Sequence, residues 1–292
     1  MTIQEVIDSI LAYHPKFGSD YTGCDEFKCG NPSDACTSIV TAMDATVQVV
    51  RRAAELGANL IIVHEPTNYT SMDKPGWNED FKNDVYEEKA RLLKEHGIAV
   101  WRDHDHMHAH QPDGIFTGVL KYLGWEEYAE TDTSMGMFAH FIVTLPAEKE
   151  TTLQKLLQKL QDPIGMNGVK YVGPDDMPVR KLAIVGHLYP MQGPKPEMNH
   201  KGFPKEYSVE IIRYFEEQNV DVVLPGETID WTLLSYVRDA AELGQQKAII
   251  PLGHFNWEEL GMRYAKEWVQ ALVGPELTVT YVPTGDMWKY RQ

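Results

Sequence analysis

The strongest constraint on this chain is a rhythm between Ser38 and Leu123. Short apolar segments alternate there with longer ones whose apolar residues recur at helical spacing. Ser38-Ile-Val-Thr-Ala-Met-Asp44 reads as a strand ending in a carboxylate. Ala45–Leu56 repeats Val47, Val50, Ala53 and Ala54 on one helical face and stops at Gly57, a residue type suited to the left-handed position that closes a helix. Asn59-Leu-Ile-Ile-Val63 is a second strand, and a helix from about Asn83 to His96 is closed by Gly97. Ile98–Trp101 is a third strand, and Gly114–Leu123 a third helix. A helix between successive strands makes each connection a crossover, so the strands run parallel and helices cover the sheet. The expected fold class is α/β. In such sheets ligands gather beyond the carboxyl ends of the strands.

Those ends carry unusual chemistry. After the third strand comes Arg102-Asp-His-Asp-His-Met-His-Ala-His110, which puts His104, His106, His108 and His110 among Asp103 and Asp105 in what reads as a loop. After the second strand comes His64-Glu65-Pro66. Near the C-terminus, Gly253-His-Phe-Asn-Trp-Glu258 opens a helix, and its i,i+4 spacing sets His254 and Glu258 on one face, close enough to hold one ion or two adjacent ones. Imidazole and carboxylate are first-choice ligands for Zn, Fe, Mn, Co or Ni. A strand-end histidine is more often a packed, hydrogen-bonded residue than a ligand, and an i,i+4 His/Glu pair is more often a surface contact. The weight lies in three strand-to-loop transitions that each offer two donors along one rim. Asp44, Asp103 and Glu227 are the nearest candidates to support such ligands, although Asp44 reads equally well as the cap of the following helix. Trp257, between two of the site residues, is a candidate to line a pocket.

The rest of the chain fits a second β/α set. Residues 1–15 read as an amphipathic helix, with no basic leader. Lys16–Ser33 is an aperiodic loop rich in Gly, Asp and Cys. Strands are expected at Gly136–Leu145, Gly168–Val172, Arg180–Gly186, Val220–Leu224, Lys247–Pro251 and Leu277–Val282. Helices are expected at Thr151–Gln161, at Ser208–Gln218 with Ser208 as N-cap, at Trp231–Leu243, and from the Gly253 turn to about Leu272. Pro190–Pro204, rich in Pro, Gly and Lys, reads as a mobile loop or lid near the site. A formal net charge of -16 argues against binding nucleic acid or anionic membranes, which needs clustered Lys and Arg. Cys24, Cys29 and Cys36 are odd in number and lack a zinc-knuckle spacing, so they read as reduced thiols of a cytoplasmic protein.

Taken together, Ile39–Asp44, Gly57–Pro66, Ile98–His108, Pro178–Val185, Pro225–Asp230 and Ile249–Glu258 resemble the Nif-three-like dinuclear metal-centre family, whose members often carry the name GTP cyclohydrolase I type 2. The family pattern is a strand followed by His-His-Pro, a His-Thr-Asn-x-Asp loop and a Gly-His-x-x-x-Glu turn. The last is kept as Gly253–Glu258. The first becomes His64-Glu65-Pro66 and the second His104-Asp-His-Met-His108, so a family histidine is replaced by glutamate and a family aspartate by histidine. The resemblance implies two interwoven β/α lobes, residues 1–130 with 245–292 and about 131–244, with a dinuclear site between them. It implies two divalent transition-metal ions held by His64, Glu65, His108, His254 and Glu258, with Glu258 bridging. His104 and then His106 are the expected catalytic proton carriers, and His110 is expected outside. It also implies a homo-hexamer. The expected function is metal-dependent hydrolysis of a small molecule. The alternative is a non-catalytic metal-binding or regulatory protein.

Overall fold

The computed structural model describes residues 1–74, 77, 81–132, 140–188 and 198–291. In chain order the elements are α1 (Ile3–Tyr13), β1 (Phe27–Cys29), β2 (Ile39–Ala42), α2 (Val47–Glu55), β3 (Leu60–Val63), α3 (Asp84–Glu95), β4 (Ala99–Arg102), α4 (Asp105–Ala109) and α5 (Gly114–Leu123). They continue with β5 (Ala129–Asp132), β6 (His140–Thr144), β7 (Thr151–Thr152), α6 (Leu153–Ile164), β8 (Pro178–Val179), β9 (Lys181–Ile184), α7 (Tyr207–Glu217) and β10 (Val222–Leu224). The last are α8 (Leu233–Glu242), β11 (Ala248–Ile249), α9 (His254–Val273) and β12 (Val279–Tyr281). The chain divides into two compact units. The first is Met1–Val119 with Glu258–Thr284, and the second is Leu120–Trp257 with Gly285–Gln292.

The first unit is built on a five-stranded sheet in the order β1-β4-β3-β2-β12. The pairs β12–β2, β2–β3 and β3–β4 are parallel, as the helical crossovers require, and β1 runs antiparallel at the edge. Every residue of β2, β3 and β4 is buried, which is why these strands read as unbroken apolar runs. The apolar stripe of α2, Val49, Val50 and Ala53, packs into the same core as Val40, Ile61, Val63 and Val100. Register decides the site. Ala42 is level with Val63, and Val63 with Arg102, so the residues that follow leave the sheet side by side.

The second unit holds a sheet in the order β11-β10-β9-β6-β5, parallel from β9 to β11 and antiparallel at β6 and β5. A separate core forms there around Ile211, Phe215, Val223, Val237 and Ile249.

Several sequence expectations are corrected. The Gly/Asp/Cys segment contains β1, whose three residues are too few to show periodicity. The histidine loop coils into the short helix α4. Thr46, not Asp44, caps α2, its side chain accepting from the Val49 amide at 3.1 Å. Glu206, not Ser208, precedes α7, and makes no side-chain cap bond. Gly168–Val172 contributes one bridge, Val172 to Ile249, rather than a strand. Residues 136–139 of the expected Gly136–Leu145 strand, and 190–197 of the expected lid, lie outside the described residues. Residues 198–204 form a turn bridged from Met198 to Pro204. The three cysteines are free thiols.

Candidate metal centre

His64 is the first residue beyond β3 and is completely buried. Its amide donates to the Met43 carbonyl at 3.2 Å, which ties the end of β3 to the end of β2. Its Nδ1 lies 3.0 Å from the backbone carbonyl of Asp103, the first residue beyond β4. A carbonyl only accepts, so Nδ1 carries the proton and Nε2 presents a lone pair. His108, on α4, is oriented the same way: its Nδ1 donates to Asp113 Oδ2 at 2.8 Å. The two Nε2 atoms then face each other at 3.2 Å. Glu258 Oε2, from the first part of α9, lies 3.6 Å from His64 Nε2.

Two lone pairs pointed at one another repel unless a cation or a proton lies between them. Titration tendencies agree. Burial, with help from neighbouring His104, holds His64 well below the ordinary histidine range. Burial also opposes charge on His108, but Asp113, Glu258 and Glu65 outweigh it and push its pKa up to about 9.

His104 stacks on His64 with ring centroids 4.5 Å apart. Its Nδ1 donates to Asp105 Oδ1 at 2.8 Å, so Nε2 again is the acceptor, 4.0 Å from Glu65 Oε1. Glu65 is buried. Arg102, buried at the end of β4, donates from Nε to the His64 carbonyl at 2.8 Å and sets Nη2 3.5 Å from Glu65 Oε2. His64, Glu65 and Glu258 therefore form one group of closely spaced donor atoms, and His64, His104 and His108 another. The set is nitrogen and carboxylate oxygen, pre-oriented, with His64, Glu65 and Glu258 buried and His104 and His108 half-buried, and it fits a divalent transition metal.

The other expected site residues are placed elsewhere. His106 turns to Asp25, with Nδ1 2.6 Å from Oδ2, and packs against Phe17 and Tyr21. Asp25 also accepts the backbone amides of His104, Asp105 and His106, and so caps α4 across about eighty residues of sequence. Asp103 binds His14 at 3.1 Å by its side chain, leaving its carbonyl for His64. His110 stacks on Tyr13. His254, four residues before Glu258 on α9, belongs to the second unit. It groups there with His187 and Glu227: its Nδ1 lies 3.2 Å from Glu227 Oε2 and its ring stacks on His187 at 3.9 Å. Trp257 is fully buried. Asp44 is half-buried, and loss of solvent around its carboxyl raises the pKa to about 6.

Sequence reading missed Asp113, Arg102, Asp25 and His187. Asp113 had a usable signal, an aspartate just before a helix, and it does accept the amides of Ile115 and Phe116. The others had none.

A model of the family described as Duf34/NIF3 (NGG1p interacting factor 3) matches residues 1–186. The chain belongs to the Duf34/NIF3 family. It is 23% identical over 257 residues to a GTP cyclohydrolase 1 type 2 homolog of Clostridium perfringens, covering 88% of this chain and 85% of the relative. A protein of the same name from Clostridium acetobutylicum is 23% identical over 234 residues, covering 78% and 75%. Among solved structures, a Bacillus cereus protein related to NIF3 superposes with a TM-score of 0.67 at 16% identity, covering 100% of this chain and 99% of that one. Reduced HcgD from Methanocaldococcus jannaschii gives 0.60 at 16% identity, covering 96% and 97%. These structures show that this NIF3 chain has the family's α/β fold.

Proposed function

We propose that this NIF3-family chain is a metal-dependent hydrolase of a small molecule. The observation that carries the reading is the close approach of two ring nitrogens, His64 Nε2 and His108 Nε2, beside the Glu258 carboxylate. His64, Glu65, His108 and Glu258 would hold two divalent transition-metal ions. The family likeness names His254 as a fifth ligand; in this structure it groups with His187 and Glu227 within the second unit. When bound, such ions supply an activated water and polarise the bond under attack.

The chain's own groups do the rest. The Asp103 carbonyl and the Asp113 carboxylate each fix a ring proton on Nδ1, so His64 Nε2 presents its lone pair and His108 Nε2 would present its own once an ion displaces the proton its raised pKa lets it carry. Arg102 braces the His64-Glu65 peptide and draws one Glu65 oxygen aside. His104 is partly exposed, its Nδ1 proton held by Asp105, and its Nε2 is the proton acceptor and donor for the reaction. The relatives' name describes one hydrolytic chemistry, on a nucleotide ring. We infer no substrate beyond a small molecule, and extend to this chain the homo-hexamer that the family likeness implies, to be read as six times 33.2 kDa by light scattering.

Three measurements test the reading: elemental analysis after reconstitution, a broad hydrolase screen with the metal restored, and the same screen on Glu258→Gln. Turnover that rises with metal loading and disappears in Glu258→Gln is expected. Less than about half an ion per chain would sink the metal centre. Full loading without turnover on any substrate would favour a metal-handling role.

A further inference from the structure

A cavity of about 430 Å³ lies in the first unit, away from the histidines, between the β1 edge, α3 and the residues that follow β3. That is within the usual span for small-ligand sites, roughly 300–1,000 Å³. Leu93, Ile98 and Cys29 give it an apolar wall. Lys28, Lys89 and Lys94 also line it, against one lining carboxylate, Asp34, which is exposed and accepts from Asn31 Nδ2 at 2.7 Å. In a chain of net charge -16, this is a local reversal of sign.

The lysines are not equivalent. Lys28 is satisfied, donating to the Cys24 carbonyl at 2.8 Å and lying 3.3 Å from Glu26 and 3.7 Å from Asp73. Lys94 is exposed at the rim. Lys89 is buried, with 4% of its surface accessible. Its Nζ donates to the Thr67 carbonyl at 2.9 Å and lies 4.7 Å from the centroid of the Tyr69 ring. Among the described residues no carboxylate is in ion-pair contact with it. A buried ammonium with one carbonyl and one ring in contact, and its nearby carboxylates Asp44 and Asp73 out of ion-pair reach, lacks the direct pairing that ordinarily accompanies such burial. Beside it, the buried Thr67 Oγ1 has no hydrogen-bond partner among the described residues. Burial lowers the Lys89 pKa, although Asp44 and Asp73 work against that.

We propose that this cavity binds a small organic anion, a carboxylate or phosphate-type head on an apolar body. Lys89 Nζ and Thr67 Oγ1 take the head, Leu93 and Ile98 take the body, and Lys94 stands at the mouth. Lys89 and Thr67 both line the cavity beside an apolar wall and are joined by the Nζ bond to the Thr67 carbonyl; a cation and a hydroxyl next to apolar surface suit an amphiphilic anion.

The test is isothermal titration of the full-length protein, as purified, with phenylacetate, phenylphosphonate and benzyl alcohol. One-to-one saturable binding of at least one anion is expected, and none of the alcohol. Which anion binds distinguishes a carboxylate head from a phosphate-type one. Lys89→Met should weaken binding by about tenfold or more, whereas Lys82→Met, on the exposed surface, should not. The proposal is overturned if neither anion saturates by about 10 mM, a limit set by the weakest useful site. It is equally overturned if benzyl alcohol binds as well as the anions, or if a folded Lys89→Met binds undiminished. Should Lys89→Met fail to fold, Thr67→Val and Lys94→Met carry the test, and undiminished binding in both overturns the proposal.

Discussion

A ligand histidine is only as good as the group that holds its other nitrogen. His108 depends on Asp113, which does two things at once: Oδ1 caps α5 and Oδ2 fixes the proton on His108 Nδ1. Asp113→Asn separates them. An asparagine oxygen still accepts from the Ile115 and Phe116 amides, but its NH2 now faces Nδ1 and favours the tautomer with the proton on Nε2. Metal affinity, measured by competition with a chelator, should fall about 10- to 100-fold, the usual effect of removing a partner behind a ligand. The unfolding midpoint of the chelated protein should hardly move. Unchanged affinity would remove His108 from the ligand set. At this scale the sequence was readable where a donor followed an apolar run, as with His64-Glu65 and His104–His108. Arg102 was not: it ends a fully buried strand, and nothing local says that its guanidinium turns back to the His64 carbonyl. Asp25 was hidden for another reason, since its partners lie about eighty residues away and only folding reveals them.

The elements legible in sequence were those long enough to repeat. β2, β3, α2 and α3 carry several turns or a full run of burial. β1 and α4, at three and five residues, show no period and were read as loop. What sequence could not show at all was how closely α5 and α9 approach within the first unit. A Cβ added to Gly118 would lie 2.7 Å from the Leu260 carbonyl oxygen and 2.8 Å from Gly261 Cα, and one on Gly261 would meet Ile115 Cα at 2.8 Å. Backbone fills that space and cannot yield like a flexible side chain. Gly118→Ala should therefore destabilise the protein by roughly 1–3 kcal/mol in urea unfolding and weaken metal binding, because Glu258 sits one turn from the contact. An unaltered midpoint would show that the helices do not meet this tightly. In the second unit, β6 and α7 share a polar contact equally invisible beforehand. His140 is buried, donating to Tyr214 Oη at 2.8 Å and accepting from Tyr207 Oη at 2.8 Å, while Tyr214 donates to Asp132. Burial lowers the His140 pKa to about 4. A histidine depressed in the folded state contributes stability above its unfolded pKa and loses it as the unfolded chain takes up the proton first. Between about pH 6.5 and 4 this group alone should remove about 3 kcal/mol, and His140→Gln should flatten that part of the curve by one proton. Equal slopes in both proteins would mean that His140 is already charged in the fold.

At the scale of the whole molecule, the two units allow the location of the metal centre to be tested without any substrate. Among the described residues no helix is long and apolar enough to cross a membrane. Four proposed ligands, His64, Glu65, His108 and Glu258, belong to the first unit, on elements whose strands are parallel neighbours. An ion that binds the folded state and not the unfolded one stabilises it by mass action, about 2.7 kcal/mol at a hundredfold excess over Kd. The gain should appear first where the ion ties chain segments together. Hydrogen exchange followed by mass spectrometry, with and without chelator, should show slower exchange on metal loading at the ends of β2, β3 and β4, through α4, and along α9 after Glu258. β6, β9 and β10 in the second unit should change far less. His187–Glu227–His254 gives the experiment a second outcome, since it offers three donors in the second unit. Protection confined to the segment after β9 around His187, the segment around Glu227 and the start of α9 would place the ion there instead and overturn the assignment to His64 and His108. Protection absent from both regions at saturating metal would mean that neither group binds an ion in the folded chain.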